Sequence, residues 1–164
     1  MKGFTTNQNI IDKDFEETFN RYYVTKQYPE AFLLCINNIG IPLLKEVAYN
    51  NAKKVIPKLK STIEVTENIN MDFIIDTLMS NGYEPTMKNE SLSLFPCIKI
   101  RIEKQQIIMK RPISYWILLS LILIIFPFYI LLPITLPLFI ISTCKRRKIK
   151  KCICDALIAY YQNK

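Results

Sequence analysis

Residues 112–144 read PISYWILLSLILIIFPFYILLPITLPLFIISTC, thirty-three positions without a single Asp, Glu, Lys, Arg or His. A spanning helix needs ~20 apolar residues. The run is too long for one untilted span and too short for two ordinary spans with a loop. Pro127, Pro133 and Pro137 fall in its middle and second half. Each removes a helix hydrogen bond that lipid does not replace. Tyr115 and Trp116 lie near the first boundary, where aromatic rings anchor at headgroups. Such a stretch excludes a plain soluble globule and a disordered chain as descriptions of the whole.

Charge brackets this run. The 164-residue chain has a formal net charge of +8. Residues 1–99 carry a net of −1, residues 100–111 a net of +3, and residues 145–164 a net of +6. Lys110 and Arg111 precede the apolar segment. Lys145, Arg146, Arg147, Lys148, Lys150 and Lys151 follow it. Near-neutrality of the first hundred residues argues against nucleic acid as a partner. Cations placed at the edges of an apolar run favour an anionic bilayer leaflet, where each contributes ~1 kcal/mol.

Two topologies compete. A single kinked span obeys the positive-inside rule only by exporting the N-terminal part. A hairpin turning near Pro127 to Pro133 keeps both basic flanks on the cytosolic side. The hairpin is the expectation here, with legs of ~14–16 residues, or ~21–24 Å, either re-entrant or thinning the bilayer. Trp116, Pro127, Pro133 and Pro137 are its anchor residues. The first nineteen residues contain no apolar stretch of signal-peptide length, so nothing there is expected to export the N-terminal part.

Residues 1–110 read as an α+β domain. Ile10, Ile11, Phe15, Phe19, Tyr22 and Tyr23 recur at helical spacing over 9–24. Pro29 and Pro42 suit the first turns of two further helices, and Pro57 ends or bends the second of these. A fourth helix has Asn70 as N-cap, Asp72 in its first turn, Gly82 at C′, and Phe73, Ile74, Leu78 and Met79 as its buried stripe. The period then changes to two. Leu92, Leu94, Ile98, Ile100 and Ile102 alternate with Ser and basic residues, as half-buried strands do. Residues 83–88 pair with 91–95 across Asn89-Glu90, Pro96 marks a bulge or an edge, and 98–109 supply one strand or two. The division expected is 1–110 as the cytosolic domain, 111–144 as the membrane segment and 145–164 as a basic tail. In KRRKIKKCICDALIAYYQNK, residues 145–164, Ile149, Cys152, Ile153, Ala156, Leu157 and Tyr160 suit a short amphipathic helix lying on lipid or packing on the domain.

Chemistry is sparse. The absence of His removes Ser-His-Asp and Cys-His catalysis and mixed Cys/His zinc sites. Three glycines, at 3, 40 and 82, form no phosphate loop. Cys144, Cys152 and Cys154 lie beside cations that would lower their thiol pKa and are acylation candidates, against a plainer role as small interfacial residues. Cys97 reads as core. Asp12 and Glu16 share a helix face at i,i+4, as metal-binding carboxylates can, or as a solvated helix start does. Aromatics Phe19, Tyr22, Tyr23, Tyr28 and Phe32 line an apolar ligand pocket or form the core. No catalytic residue, cofactor or metal is expected. The function expected is placement: a bilayer-anchored domain of the immunity, accessory or viral membrane type that binds a protein or lipid-like partner. The alternative is a tethered sensor or carrier of a small apolar ligand.

Overall fold

The computed structural model describes residues 4–88, 90–94, 98–110 and 128–164, with the backbone alone for 4–12, 128–136 and 138. Among them are five α-helices: α1 Phe4–Val24, α2 Tyr28–Asn38, α3 Lys45–Val55, α4 Met71–Ser80 and α5 Phe128–Gln162. Five short strands accompany them: β1 Thr62–Glu64, β2 Thr86–Lys88, β3 Ser91–Leu94, β4 Ile98–Glu103 and β5 Gln106–Lys110. The fold class is therefore α+β.

Local chemistry sets most boundaries. Pro29 occupies the first turn of α2, where its missing N–H costs nothing. Pro42 instead falls in a turn, and α3 begins at Lys45. Pro57 forces the end of α3 into a 3-10 turn, Ile56–Lys58. The Asn70 side chain accepts from the Asp72 N–H at 3.3 Å, and Gly82 adopts φ 75°, the left-handed conformation that closes α4. The buried stripe of α4 is Ile74, Thr77 and Leu78. Met79 faces out at 62% exposure, a correction to the sequence reading: the inward arc is centred one residue earlier.

The sheet is antiparallel throughout, in the order β1-β5-β4-β3-β2. Lys88 pairs with Ser91 across the expected tight turn, and Glu90 takes φ 54° there. Pro96, read as a bulge or edge, lies outside the described residues. Residues 98–109 make two strands. β1 adds a third antiparallel neighbour by pairing Ile63 with Ile107. In register, Leu92, Ile100 and Met109 form one apolar row, and Ile63, Ile107 and Ile102 the next. The opposite face presents Lys99 directly across from Lys110, with Arg101 beside them.

The core does not stop at residue 110. Ile149, Ile153, Cys154, Leu157, Ile158 and Tyr161 of α5 are buried in the same cluster as Phe32, Ile36, Ile74, Leu78 and Ile100. α5 packs on α4, α2 and the 3-10 turn. The Lys53 ammonium meets the Asp155 carboxylate at 2.6 Å, joining α3 to the tail. Gly40 lies so close to α5 that a Cβ there would stand 3.3 Å from the Tyr161 carbonyl oxygen. The apolar face of the tail helix, left open between lipid and domain by the sequence, packs on the domain.

Candidate membrane-facing site

Residues that flank the apolar run on either side meet on the folded domain. The Met109 N–H donates to the Ser61 carbonyl at 2.7 Å, which fixes the last turn of β5 against the residue preceding β1. The Met109 carbonyl in turn accepts from Arg146 Nη2 at 3.0 Å. Met109, near the end of β5, and Arg146, thirty-seven residues later on α5, are therefore in direct contact.

α5 changes character along its length. Its first half, Phe128 to Cys144, is uncharged. Pro133 and Pro137 lie inside this helix and do not end it. The seventeen residues rise ~26 Å at ~1.5 Å each, short of a ~30 Å hydrocarbon core. No helix among the described residues is long and apolar enough to cross a membrane. Arg111 and Trp116, expected at the first membrane boundary, and Pro127, expected at the turn, lie outside the described residues.

Just before the basic cluster, α5 exposes Ile140 and Ile141 at 52% and 54%. Two turns on, Arg147, Lys148 and Lys151 are exposed on the helix. An apolar collar followed by a cationic band along one axis matches the order of hydrocarbon and headgroup. Lys145 is half-buried, with its ammonium 6.0 Å from the Tyr83 ring centroid. Lys110 is exposed at the end of β5, opposite Lys99.

Lys150 departs from the expected headgroup set. It is buried at 8% exposure, and its ammonium donates to the Leu59 carbonyl at 2.5 Å. Burial pushes its pKa down, offset in part by the Cys154 thiol and reinforced by the Arg146 and Arg147 charges. The reason is helical phase: Lys150 stands on the arc of Ile149 and Ile153, so the packing that buries them takes it inward.

The cysteines split similarly. Cys144 is exposed and Cys152 half-buried, while Cys154 is fully enclosed. Burial raises the Cys154 thiol to about 12, more than its cationic neighbours lower it, and burial raises Cys152 too. The expectation that nearby cations depress these thiols is reversed at both, because desolvation of the thiolate dominates. Cys154 is therefore not presented to an acylating enzyme. Cys144, beside the exposed isoleucines, is open to solvent.

Of the remaining candidates, Cys97 lies outside the described residues, as does the side chain of Asp12. Glu16 is exposed. Among the described residues no three potential metal ligands gather. The aromatic series runs from Phe15 through Phe19 and Tyr23 to Tyr28, with successive ring centroids 5.6–6.4 Å apart, and Phe15, Phe19 and Phe32 are core residues. Lys60, Ser61 and Lys99 reach the site without having been singled out by sequence. Only the pairing of β1 with β5 and of β4 with β5 brings them there.

Fold and site together define, among the described residues, an α+β domain whose last helix begins uncharged and ends buried in the shared core. No family model, no curated protein and no solved structure matches the chain.

Proposed function

We propose that this protein is a membrane-anchored, non-enzymatic factor. Its run 112–144 enters and leaves one face of a bilayer, and its domain is held at that surface to bind a protein or lipid-like partner. The observation that carries this reading is the meeting of Met109 and Arg146, with the α5 residues beyond it buried in the same core as α2, α4 and the sheet. A single span would place residues 15–110 and 149–161 on opposite sides of the bilayer. It would strip Ile149, Ile153, Leu157 and Ile158 from that core, at ~1.5–3 kcal/mol each. A hairpin leaves the core intact. The exposed band of Arg147, Lys148 and Lys151 then lies at headgroup level, with Lys110 and Lys99 on the sheet face adding to an anionic-surface attraction.

Flotation with vesicles tests it. The full chain is expected to float with phosphatidylcholine vesicles after an alkaline carbonate wash. Protein that remains wholly in the pellet, or washes off, sinks the reading.

A second reading, a tethered carrier of a small apolar ligand, is supported by a cavity of about 460 Å³ beside α2 and α5, where Ile36, Gly40 and Tyr161 line one part and Asn37, Thr66, Glu67 and Lys164 the polar remainder. The Tyr161 hydroxyl is buried with no hydrogen-bond partner. A ligand acceptor would satisfy it, since an orphaned buried hydroxyl costs ~1–3 kcal/mol. Native mass spectrometry of the full chain tests this: a co-purifying small molecule lost on Gly40→Leu favours it, and a mass matching bare protein counts against it.

A further inference from the structure

We infer that the cavity where the segment 59–61 faces α5 is a phosphate-binding site, formed by Lys60, Ser61, Arg146, Arg147 and Lys150 at the headgroup end of the apolar helix. Its volume is about 340 Å³, enough for a phosphate and part of the group esterified to it. Three observations carry this.

The first is composition. Four of the lining residues are cations, Ser61 adds a hydroxyl, and no carboxylate is among the described lining residues. Lys150 is buried and Arg146 half-buried, with Lys60 and Arg147 exposed beside them, and like charges gathered this way favour an anion among them. Arg offers a planar fork suited to phosphate oxygens, and Lys a point charge.

The second is preorganisation. Main-chain carbonyls hold two of the cations in place: Met109 accepts from Arg146 and Leu59 accepts from Lys150. The Ser61 carbonyl receives the Met109 N–H, so floor and wall are tied through one strand pair. The cations on α5 recur at i, i+1 and i+4, one arc of the helix. Desolvation of Lys150 and repulsion from Arg146 and Arg147 both lower its pKa, the direction that an arriving anion reverses.

The third is position. Thr143 forms the rim of the cavity, less than one turn beyond the exposed Ile140 and Ile141. A group bound there has hydrocarbon beside it if the apolar run lies in a bilayer. The phosphate is presented by an anionic lipid headgroup or arrives as a free anion. The lipid source rests on the membrane reading above, whereas the phosphate chemistry of the cavity does not.

The test uses the full chain in nanodiscs. Phosphatidylcholine doped with phosphatidic acid is compared with phosphatidylcholine alone, and retained lipid is counted by native mass spectrometry. Phosphatidic acid is expected to be retained by the wild-type chain. Lys60→Ala with Arg147→Ala should lower its retention roughly thirty-fold, two cations at the usual juxtamembrane strength. Lys45→Ala with Lys88→Ala, which removes the same charge from exposed positions away from both the cavity and the headgroup band, should leave retention near wild type. Circular dichroism confirms that both pairs fold. Inorganic phosphate is then titrated into the phosphatidylcholine-only sample and followed by phosphorus NMR. Binding of inorganic phosphate without retention of phosphatidic acid assigns the site to a free anion. Retention that inorganic phosphate does not displace assigns it to lipid. Equal loss in the two double variants, or no binding of either probe, overturns the site. Vesicle flotation of the same variants keeps the two readings apart, because a chain that floats but binds neither probe loses the phosphate site alone.

Discussion

Removing residues 145–164 is predicted to unfold the domain rather than release it. The truncation uncovers the surfaces that Ile149, Ile153, Leu157 and Ile158 bury, each at 2% exposure or less. At ~1.5–3 kcal/mol per buried aliphatic side chain, the loss is roughly 6–12 kcal/mol, an upper figure because denatured chains already bury some surface. A domain of this size has ~5–15 kcal/mol in all. The Lys53–Asp155 pair goes too, but with both side chains 37% exposed it adds little. A milder change gives a measurable number: Leu157→Ala should cost ~2–5 kcal/mol, since Leu157 is fully buried. Guanidinium unfolding of the full chain and its Leu157→Ala variant in one detergent, followed by circular dichroism, reads that difference. A synthetic 145–164 peptide added to the truncated chain should restore cooperative unfolding. A truncated chain that melts cooperatively within ~2 kcal/mol of full length would refute the claim that tail and domain are one core.

Two further outcomes follow from individual groups. Burial holds the Cys35 and Cys154 thiols at about 12, against 9.0 for an exposed thiol, so the folded state keeps protons that the unfolded chain gives up. Stability is therefore full below pH 9 and falls as pH rises towards 12, by ~1.4 kcal/mol for each thiol at pH 10. Denaturant midpoints at pH 8 and pH 10 measure this, Cys35→Ala should remove about half of the drop, and an unchanged midpoint would contradict the burial. Lys99→Glu converts the like-charged Lys99–Lys110 pair into an opposite one, which should stabilise the sheet by up to ~1 kcal/mol while weakening binding to phosphatidylserine vesicles. A melt and a vesicle sedimentation assay should move in opposite directions, and movement together would remove Lys99 from the membrane-facing set.

Legibility followed the range of the interactions. α4 was readable because its determinants are local: Asn70 caps, Asp72 sits in the first turn and Gly82 supplies the left-handed residue. The β2–β3 hairpin was readable from the alternation that begins at Leu92 and the Asn89-Glu90 pair before it. β1 was not, because three residues from Thr62 to Glu64 show no period of their own and are a strand only through pairing with β5. Met79 and Thr77 exchanged places for a related reason. Hydrophobicity favours Met inside, but the arc fixed by Ile74 and Leu78 points Thr77 inward and leaves Met79 out.

The site was legible as a list of charges and not as a place. Six cations in a seven-residue stretch look alike in sequence. The fold sorts them by helical phase, with Arg147, Lys148 and Lys151 outward and Lys150 inward. Lys150 finds Leu59 across a separation of 91 residues, and Lys53 finds Asp155 across 102, distances over which sequence spacing holds no information. A separation of 37 residues likewise hid the meeting of Met109 with Arg146.

Single introduced cysteines in reconstituted vesicles test the same-face excursion most directly, in a background with Cys97, Cys144 and Cys152 changed to Ser. Lys45→Cys reports the domain, Asn163→Cys the tail, and Ile140→Cys the exposed apolar face of α5. With a membrane-impermeant maleimide, Lys45→Cys and Asn163→Cys are predicted to label together from the same side, and Ile140→Cys only after detergent. Labelling of Lys45→Cys and Asn163→Cys from opposite sides, or of Ile140→Cys as fast as the other two, would contradict the account.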